Sequence, residues 1–359
     1  MIPLSIPSPP REWSQLPVGE WLAGVFPWLR DVSVWINSWL PAWPADFSLV
    51  VHVYALVIIV GIVAAVLLTN FRLNRRGAEP WVIVDIAVWA VLFGIVGARL
   101  FHVVTHPDDY FGDKFAADPL AIVRVWDGGV AIYGALIGGA IGVWIACRII
   151  GLRFWSVADA AAPGLLLAQA FGRFGNYFNQ ELFGLPTDLP WGLEIDRPNP
   201  SIPVGIPDDA LFHPTFLYES LWNLAGVVIL ILIERRTREV GGIKVVERRA
   251  FWQWGKLLGL YLIWYGLGRM WFESIRLDPS ETFLGFRSNV WAAFLGLVLG
   301  LLIIIYQSRN HPGVEHSIYT PGREWVPPSE VDSPDTYSES DDDEEAGAEP
   351  VTSGSAKAD

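Results

Sequence analysis

Cysteine is almost missing from this chain: Cys147 is the only one in 359 residues. A disulfide framework and a cysteine-rich metal site are both excluded. The six histidines are scattered without an HExxH or comparable spacing, so no metal ligand set is expected. No GxSxG elbow and no P-loop occur, and Cys147 sits near the end of an apolar run, which suits an inert packing thiol. The proline-rich opening residues lack a basic segment leading into an apolar one, so no signal peptide is expected.

What is abundant is apolar surface. Hydrophobic residues make up 52% of the chain, 19 tryptophans among them, and such a balance in long runs points to a polytopic membrane protein. The formal charge of −13 is local. Residues 330–359 hold eleven Asp/Glu and one Lys, or −10, leaving −3 for the rest. That segment is too polar to bury a core and reads as a disordered tail.

About 20 apolar residues are needed to cross a bilayer, and seven candidate spans appear at 48–69, 81–104, 128–149, 155–175, 213–233, 251–272 and 287–306. The third is rich in glycine (GGVAIYGALIGGAIG), which permits close helix approach. The fold class expected is an all-α polytopic membrane protein. It comprises seven transmembrane helices, an N-terminal interfacial arm and a small outer head region. Residues 1–47 form the Trp-rich arm, 48–307 the membrane domain with its head at about 176–212, and 308–359 the acidic cytoplasmic tail. The first, third and fifth loops carry eleven Lys/Arg, whereas the second has Lys114 and Arg124 against five Asp. The positive-inside rule then puts the N-terminus outside and the tail in the cytoplasm.

Ionisable residues inside spans usually face a bundle interior or a water-filled cavity. Asp85 and Asp159 lie toward the cytoplasmic ends, where structural hydrogen bonds are expected. Arg99, Arg173 and Arg269 lie toward the outer ends, and three arginines on one side suggest an anion site. In FGRFGNYFNQELFG, Arg173 and Asn176 share a helix face; in YGLGRMWFESIR, Tyr265, Arg269 and Glu273 form a stripe at four-residue spacing. Guanidinium forks bind phosphate oxygens bidentately. Glu181, His213 and Tyr133 fall near the same face. With no covalent nucleophile in view, direct transfer between two bound substrates is favoured over a ping-pong route. A lipid transporter or flippase is the alternative, although no internal repeat is visible.

These motifs resemble, in order, those of the prolipoprotein diacylglyceryl transferase family: VHVYALVIIVG, GARL, WDGGVAIYGALIGG, GRFGNYFNQELFG, HPTFLYES and YGLGRMWFESIR, from about His52 to Arg276. The resemblance implies transfer of the sn-1,2-diacylglyceryl group from phosphatidylglycerol to the lipobox cysteine thiol of a prolipoprotein. The products would be a thioether and glycerol 1-phosphate, made at the outer face of the bacterial cytoplasmic membrane. It implies as partners phosphatidylglycerol, the lipobox and the bilayer, with no nucleic acid and no cofactor. Carried over by motif, Arg173 and Arg269 resemble the two essential arginines. Asn176, Glu181, Gly184, His52, Tyr54, Tyr265 and Glu273 join Arg173 as phosphatidylglycerol-binding candidates. Tyr133 stands where several members carry a histidine proposed as general base. A phenol with a pKa of ~10 is a poor base at neutral pH. Either arginines lower that pKa, or another group takes the thiol proton, or deprotonation is not the protein's main contribution.

Overall fold

A computed structural model describes residues 5–39, 48, 50–111, 118–125, 128–240, 243–278, 280 and 282–326. The acidic tail from residue 330 and the end of the arm at 40–47 lie outside the described residues. Two short helices come first, α1 (Val18–Val25) and α2 (Trp28–Trp39). Seven long ones follow: α3 (Val53–Asn74), α4 (Val82–Thr105), α5 (Ile132–Ile150), α6 (Phe154–Phe178), α7 (Thr215–Glu234), α8 (Lys256–Ile275) and α9 (Ser288–Asn310).

Five of the seven, α3, α4, α5, α7 and α9, are long and apolar enough to cross a membrane, with mean hydropathies of 1.7 to 2.5. The chain is a polytopic membrane protein. The two that fall short are α6 and α8, and their polar residues explain it: Asp159, Gln169, Arg173 and Asn176 on one, Lys256, Arg269 and Glu273 on the other. Twelve of the 25 residues of α6 are buried, against five of 22 in α3. A helix walled in by protein has less need of an apolar surface, and α6 is the clearest case.

The architecture is not strictly all-α as expected. Among the described residues three antiparallel pairs occur: β1 (Gln15–Leu16) with β2 (Val51–His52), β3 (Arg235–Val240) with β4 (Ile243–Arg248), and β5 (Thr282–Phe283) with β6 (Phe286–Arg287). The basic fifth loop thus folds as a hairpin.

Helices α4 and α5 lie closely along one another, and so do α3 and α6, α6 and α7, and α8 and α9. On α5, Gly134, Gly138 and Gly142 recur at four-residue spacing against Gly97, Phe93 and Trp89 of α4. A Cβ at any of the three would collide with a backbone carbonyl of α4. This is the close approach that small residues permit in a bundle. Asp159 joins α6 to α8 differently: its buried carboxylate accepts the backbone N–H of Gly255 (2.7 Å) and Leu258 (2.9 Å) at the start of α8. That is a helix cap supplied by another helix.

The two ends of the bundle are closed differently. At one, residues 179–214 form a cap around Phe183, Leu193, Ile195 and Phe212, joined by Phe216 of α7. The N-terminal stretch is stitched onto it: Ile6 N–H donates to the Gly192 carbonyl and Glu194 N–H to the Ile6 carbonyl, both at 2.9 Å. Residues 5–16 are therefore an ordered part of the structure, while Trp21, Trp28, Trp35 and Trp39 on α1 and α2 stay exposed.

At the opposite end, the chain after α9 runs back across the helix termini. Arg153 N–H donates to the Ile318 carbonyl (2.8 Å), Thr320 N–H to the Gly151 carbonyl (2.8 Å), and Glu79 N–H to the Tyr319 hydroxyl (3.0 Å). Glu315 accepts from Ser156 Oγ and pairs with Arg248 (3.4 Å). Glu315, Ile318 and Tyr319 are buried. α9 runs to Asn310, and the compact unit extends to Glu324. The reason is composition, since HPGVEHSIYTPG still carries apolar side chains that can be buried, unlike the acidic run beyond. Burying Ile318 and Tyr319 is worth about 3–5 kcal/mol. Truncation after Glu324 should leave the melting temperature in detergent unchanged, whereas truncation after Asn310 should lower it by ~5 °C or more.

Candidate active site

The site begins where α6 ends. Phe178 closes the helix, and the chain turns through two non-glycine residues in the left-handed region, Gln180 (φ 50°) and Leu182 (φ 57°). Such backbone is costly and must be held by its surroundings. Gln180 supplies the hold: its side chain donates to Asp196 Oδ2 (2.8 Å) and the Pro9 carbonyl (3.0 Å) and accepts the Asp196 N–H (2.8 Å). The polar crowding of FGRFGNYFNQELFG is thereby divided. Gln180 latches the cap and the N-terminal stretch; Asn179 donates to Glu181 (3.2 Å) within the turn; Arg173 reaches across to α7.

There Arg173 meets Glu219. Its Nε lies 2.9 Å from Glu219 Oε2, and the same oxygen lies 3.9 Å from Arg269 Nη1 on α8. Arg269 Nη2 is 3.0 Å from Glu273 Oε2, one turn further on. Glu273, fully buried, also holds Arg287 Nε (2.9 Å), Arg276 Nη1 (3.6 Å) and the Asn289 amide (3.0 Å). Asp278 pairs with Arg276 and Arg287. Four arginines face three carboxylates, +4 − 3 = +1. The network is cationic by one charge at the end of a low-dielectric bundle. Arg173 is engaged only through Nε, and its two terminal nitrogens carry no partner among the described residues.

The register of α7 against α8 brings Glu219 to Arg269, and two tryptophans set it. Trp222 Nε1 donates to the Trp264 carbonyl and Trp264 Nε1 to the Trp222 carbonyl, each at 3.1 Å. Their rings stack at 4.2 Å, and each indole rests against a glycine of the facing helix, Gly268 or Gly226. Glu219, Trp222, Asn223, Tyr265, Gly268, Arg269 and Phe272 enclose a hollow of about 10 Å³ beside the ion pairs.

The other expected residues divide into near and far. Tyr54, at the start of α3, lies over Gly175 between Arg173 and Asn176, and Asn176 is buried in the same turn. Tyr265 lines the hollow. Gly184 pairs by a β-bridge with Arg276, and a Cβ there would press on His213 and the Ile275 carbonyl. Its role is to let the signature loop pass. Glu181 accepts from Asn179, and among the described residues it pairs with no arginine. His52 sits in β2 opposite Gln15, 3.4 Å between their nitrogens, and among the described residues it pairs with no member of the network. Tyr133 on α5 is 41% exposed and packs on Phe101 of α4, on the helix pair that does not carry the arginine network.

Arg99 departs from the anion-site expectation. Its three nitrogens donate to the backbone carbonyls of Ala121, Ile122, Gly128 and Gly129, and its guanidinium lies over the Tyr110 ring. It is committed to ordering the second loop. Glu219 and Arg287, by contrast, were not singled out from the sequence. Glu219 carried a signal, a lone carboxylate in the apolar run of HPTFLYES; Arg287 carried none, being one arginine at a span edge.

The chain matches the family model described as prolipoprotein diacylglyceryl transferase over residues 43–306. It is 52% identical over 351 residues, 95% of this chain and 93% of the relative, to the phosphatidylglycerol–prolipoprotein diacylglyceryl transferase of Leifsonia xyli. A Streptomyces coelicolor protein bearing the same name, numbered 2, is 46% identical over 73% of this chain and 78% of its own length. The Bifidobacterium adolescentis protein of that name is 40% identical over 71% and 74%. The resemblance in the motifs and the match along the chain agree: this protein belongs to the prolipoprotein diacylglyceryl transferase family.

Proposed function

We propose that the Arg173–Glu219–Arg269 cluster is where this enzyme transfers the diacylglyceryl group of phosphatidylglycerol to the lipobox cysteine of a prolipoprotein. The observation that carries this reading is one carboxylate oxygen shared by two guanidiniums from different helices. It fixes two forks side by side at the edge of a net positive network, the arrangement that binds the phosphodiester of an anionic lipid.

The chemistry follows from the charges. The incoming thiolate forms a C–S bond at the glyceryl carbon as the C–O bond to phosphate breaks, and the bonding pair leaves with glycerol 1-phosphate. Negative charge on that leaving group grows in the transition state, where fixed cations in a low-dielectric site contribute most. The thiol, with pKa ~8.5, is ionised by a few per cent at neutral pH, and the positive site raises that fraction. The released monoester has a second pKa of ~6, so it can carry the thiol proton away. Asn176, Tyr265 and Tyr54 supply neutral hydrogen bonds to the headgroup, Glu273 orients Arg269, and Glu181 accepts from the glycerol hydroxyls. His52 and Gly184 shape the approach rather than touch the lipid, and Tyr133 bonds an incoming headgroup rather than taking the proton.

All seven long helices cross the bilayer in this reading, α6 and α8 as the polar centre. The arginine-rich end, with the β3–β4 hairpin, faces the cytoplasm; the cap, the N-terminal arm and the active site face outward. The acidic tail is cytoplasmic.

The direct test combines purified protein, phosphatidylglycerol and a lipobox peptide. A gain of one diacylglyceryl mass on the peptide is expected; lipid movement across the bilayer without that gain would overturn the reading in favour of a transporter. Arg173→Lys keeps the charge and loses the fork, so kcat/KM should fall by about 100-fold or more with normal membrane insertion. Glu219→Gln keeps the shape and releases both arginines, for a loss of ~10-fold or more. Gly175→Ala would force Tyr54 aside, and should cut activity by a similar factor while abundance stays near wild type.

A further inference from the structure

At the end of the bundle opposite the active site, arginines from three elements converge on one open pocket of about 430 Å³. Its lining includes Arg72, Arg75 and Arg76 from the end of α3, Arg235 at the start of β3 and Arg248 at the end of β4. Glu234 and Glu247 are its acidic members. Counting Glu315, which pairs with Arg248, five positive charges face three negative ones, 5 − 3 = +2.

The floor is built rather than incidental. Glu234 is buried and clamped by Arg72 (2.8 Å) and Arg76. Arg72 also donates to the carbonyls of Ala160 (2.9 Å) and Asp159 (3.0 Å), and Arg76 to that of Ser156 (2.8 Å). These bonds lock α3, α6 and α7 together and use up Glu234. The rim is different. Arg75 is exposed and lies over the Phe71 ring at 4.6 Å, Arg235 is exposed, and neither has a carboxylate partner among the described residues. Phe71 and Val314, about half exposed, give the rim two apolar side chains.

We propose that this pocket is a second lipid-headgroup site, which takes the phosphodiester of an anionic phospholipid from the leaflet opposite the active site. Arg75 and Arg235 grip the phosphate oxygens above the Arg72–Glu234–Arg76 floor, and Phe71 and Val314 meet the glycerol and the first acyl carbons. The chemistry favours a lipid over a free anion. The pocket opens at the ends of α3 and α7, two apolar spans, where an aqueous phosphate would have no use for Phe71. Basic pockets between spans on the cytoplasmic side are established binders of anionic headgroups. The inference rests on the membrane-spanning reading of the helices and not on the transfer chemistry, so the two fail separately.

The test is native mass spectrometry of the full-length protein in detergent, titrated with phosphatidylglycerol, beside the peptide transfer assay. Wild type should retain one lipid more than Arg75→Ala/Arg235→Ala, with half-saturation of that lipid shifted ~30-fold in the variant, at about 1 kcal/mol per arginine. Its transfer rate should stay within about twofold of wild type. Arg75→Lys/Arg235→Lys, which retains both charges, should recover most of the occupancy, and both variants should elute as folded monodisperse protein. Equal lipid counts in wild type and the alanine variant would overturn the proposal. Equal retention of phosphatidylcholine would do the same, as would filling of the site by inorganic phosphate alone or loss of transfer in step with the lost lipid.

Discussion

A carboxylate between two arginines inside a helical bundle is the constraint on which the rest of the structure turns. Burying Glu219, Arg173 and Arg269 without partners would cost several kcal/mol per charge, and their attraction offsets this only at good geometry. Three helices must therefore meet at the right height. The cross-helix cap from Asp159 sets where α8 begins, the paired indoles of Trp222 and Trp264 set its register against α7, and Gln180 secures the chain as it leaves α6. Each is a polar tie between segments that apolar packing alone would let slide.

The same arrangement explains the polarity of α6. Polar groups at the middle of a membrane bundle are tolerated where protein, not lipid, surrounds them, and α6, walled by α3, α7 and α8, is such a place. The outer helices α3 and α9 bury few side chains and present mostly aliphatic surface. Most of the buried polar side chains of the arginine network and most of the aliphatic surface are thus carried by different helices, with Glu219 on the apolar α7 the exception.

The two ends of the molecule use arginine differently, although the residues look alike in sequence. Arg99 commits four of its five N–H donors to backbone carbonyls and orders a loop; Arg72 and Arg76 are held by Glu234; Arg173 keeps its terminal nitrogens without a partner among the described residues. A structural tie and an available fork are distinguished by what the guanidinium already holds. That information lies in distances and not in spacing.

Hydrophobic length was enough to place the long helices to within about five residues, because a run of apolar residues long enough for a bilayer is visible one position at a time, and five of the seven carry such a run in full. The glycine period of α5 and the i, i+4 pairing of Arg269 with Glu273 were legible for the same reason: they are properties of a single helix. Family resemblance along the motifs carried the function. Contacts between elements distant in the chain decided the rest. Glu219 as the shared partner, Arg287 on Glu273, the separation of Tyr133 and His52 from the arginines, and the strap of residues 311–324 all depend on which helices become neighbours. Helix neighbours are chosen by packing and by pairing of buried charge over the whole bundle, and a linear pattern does not record that choice.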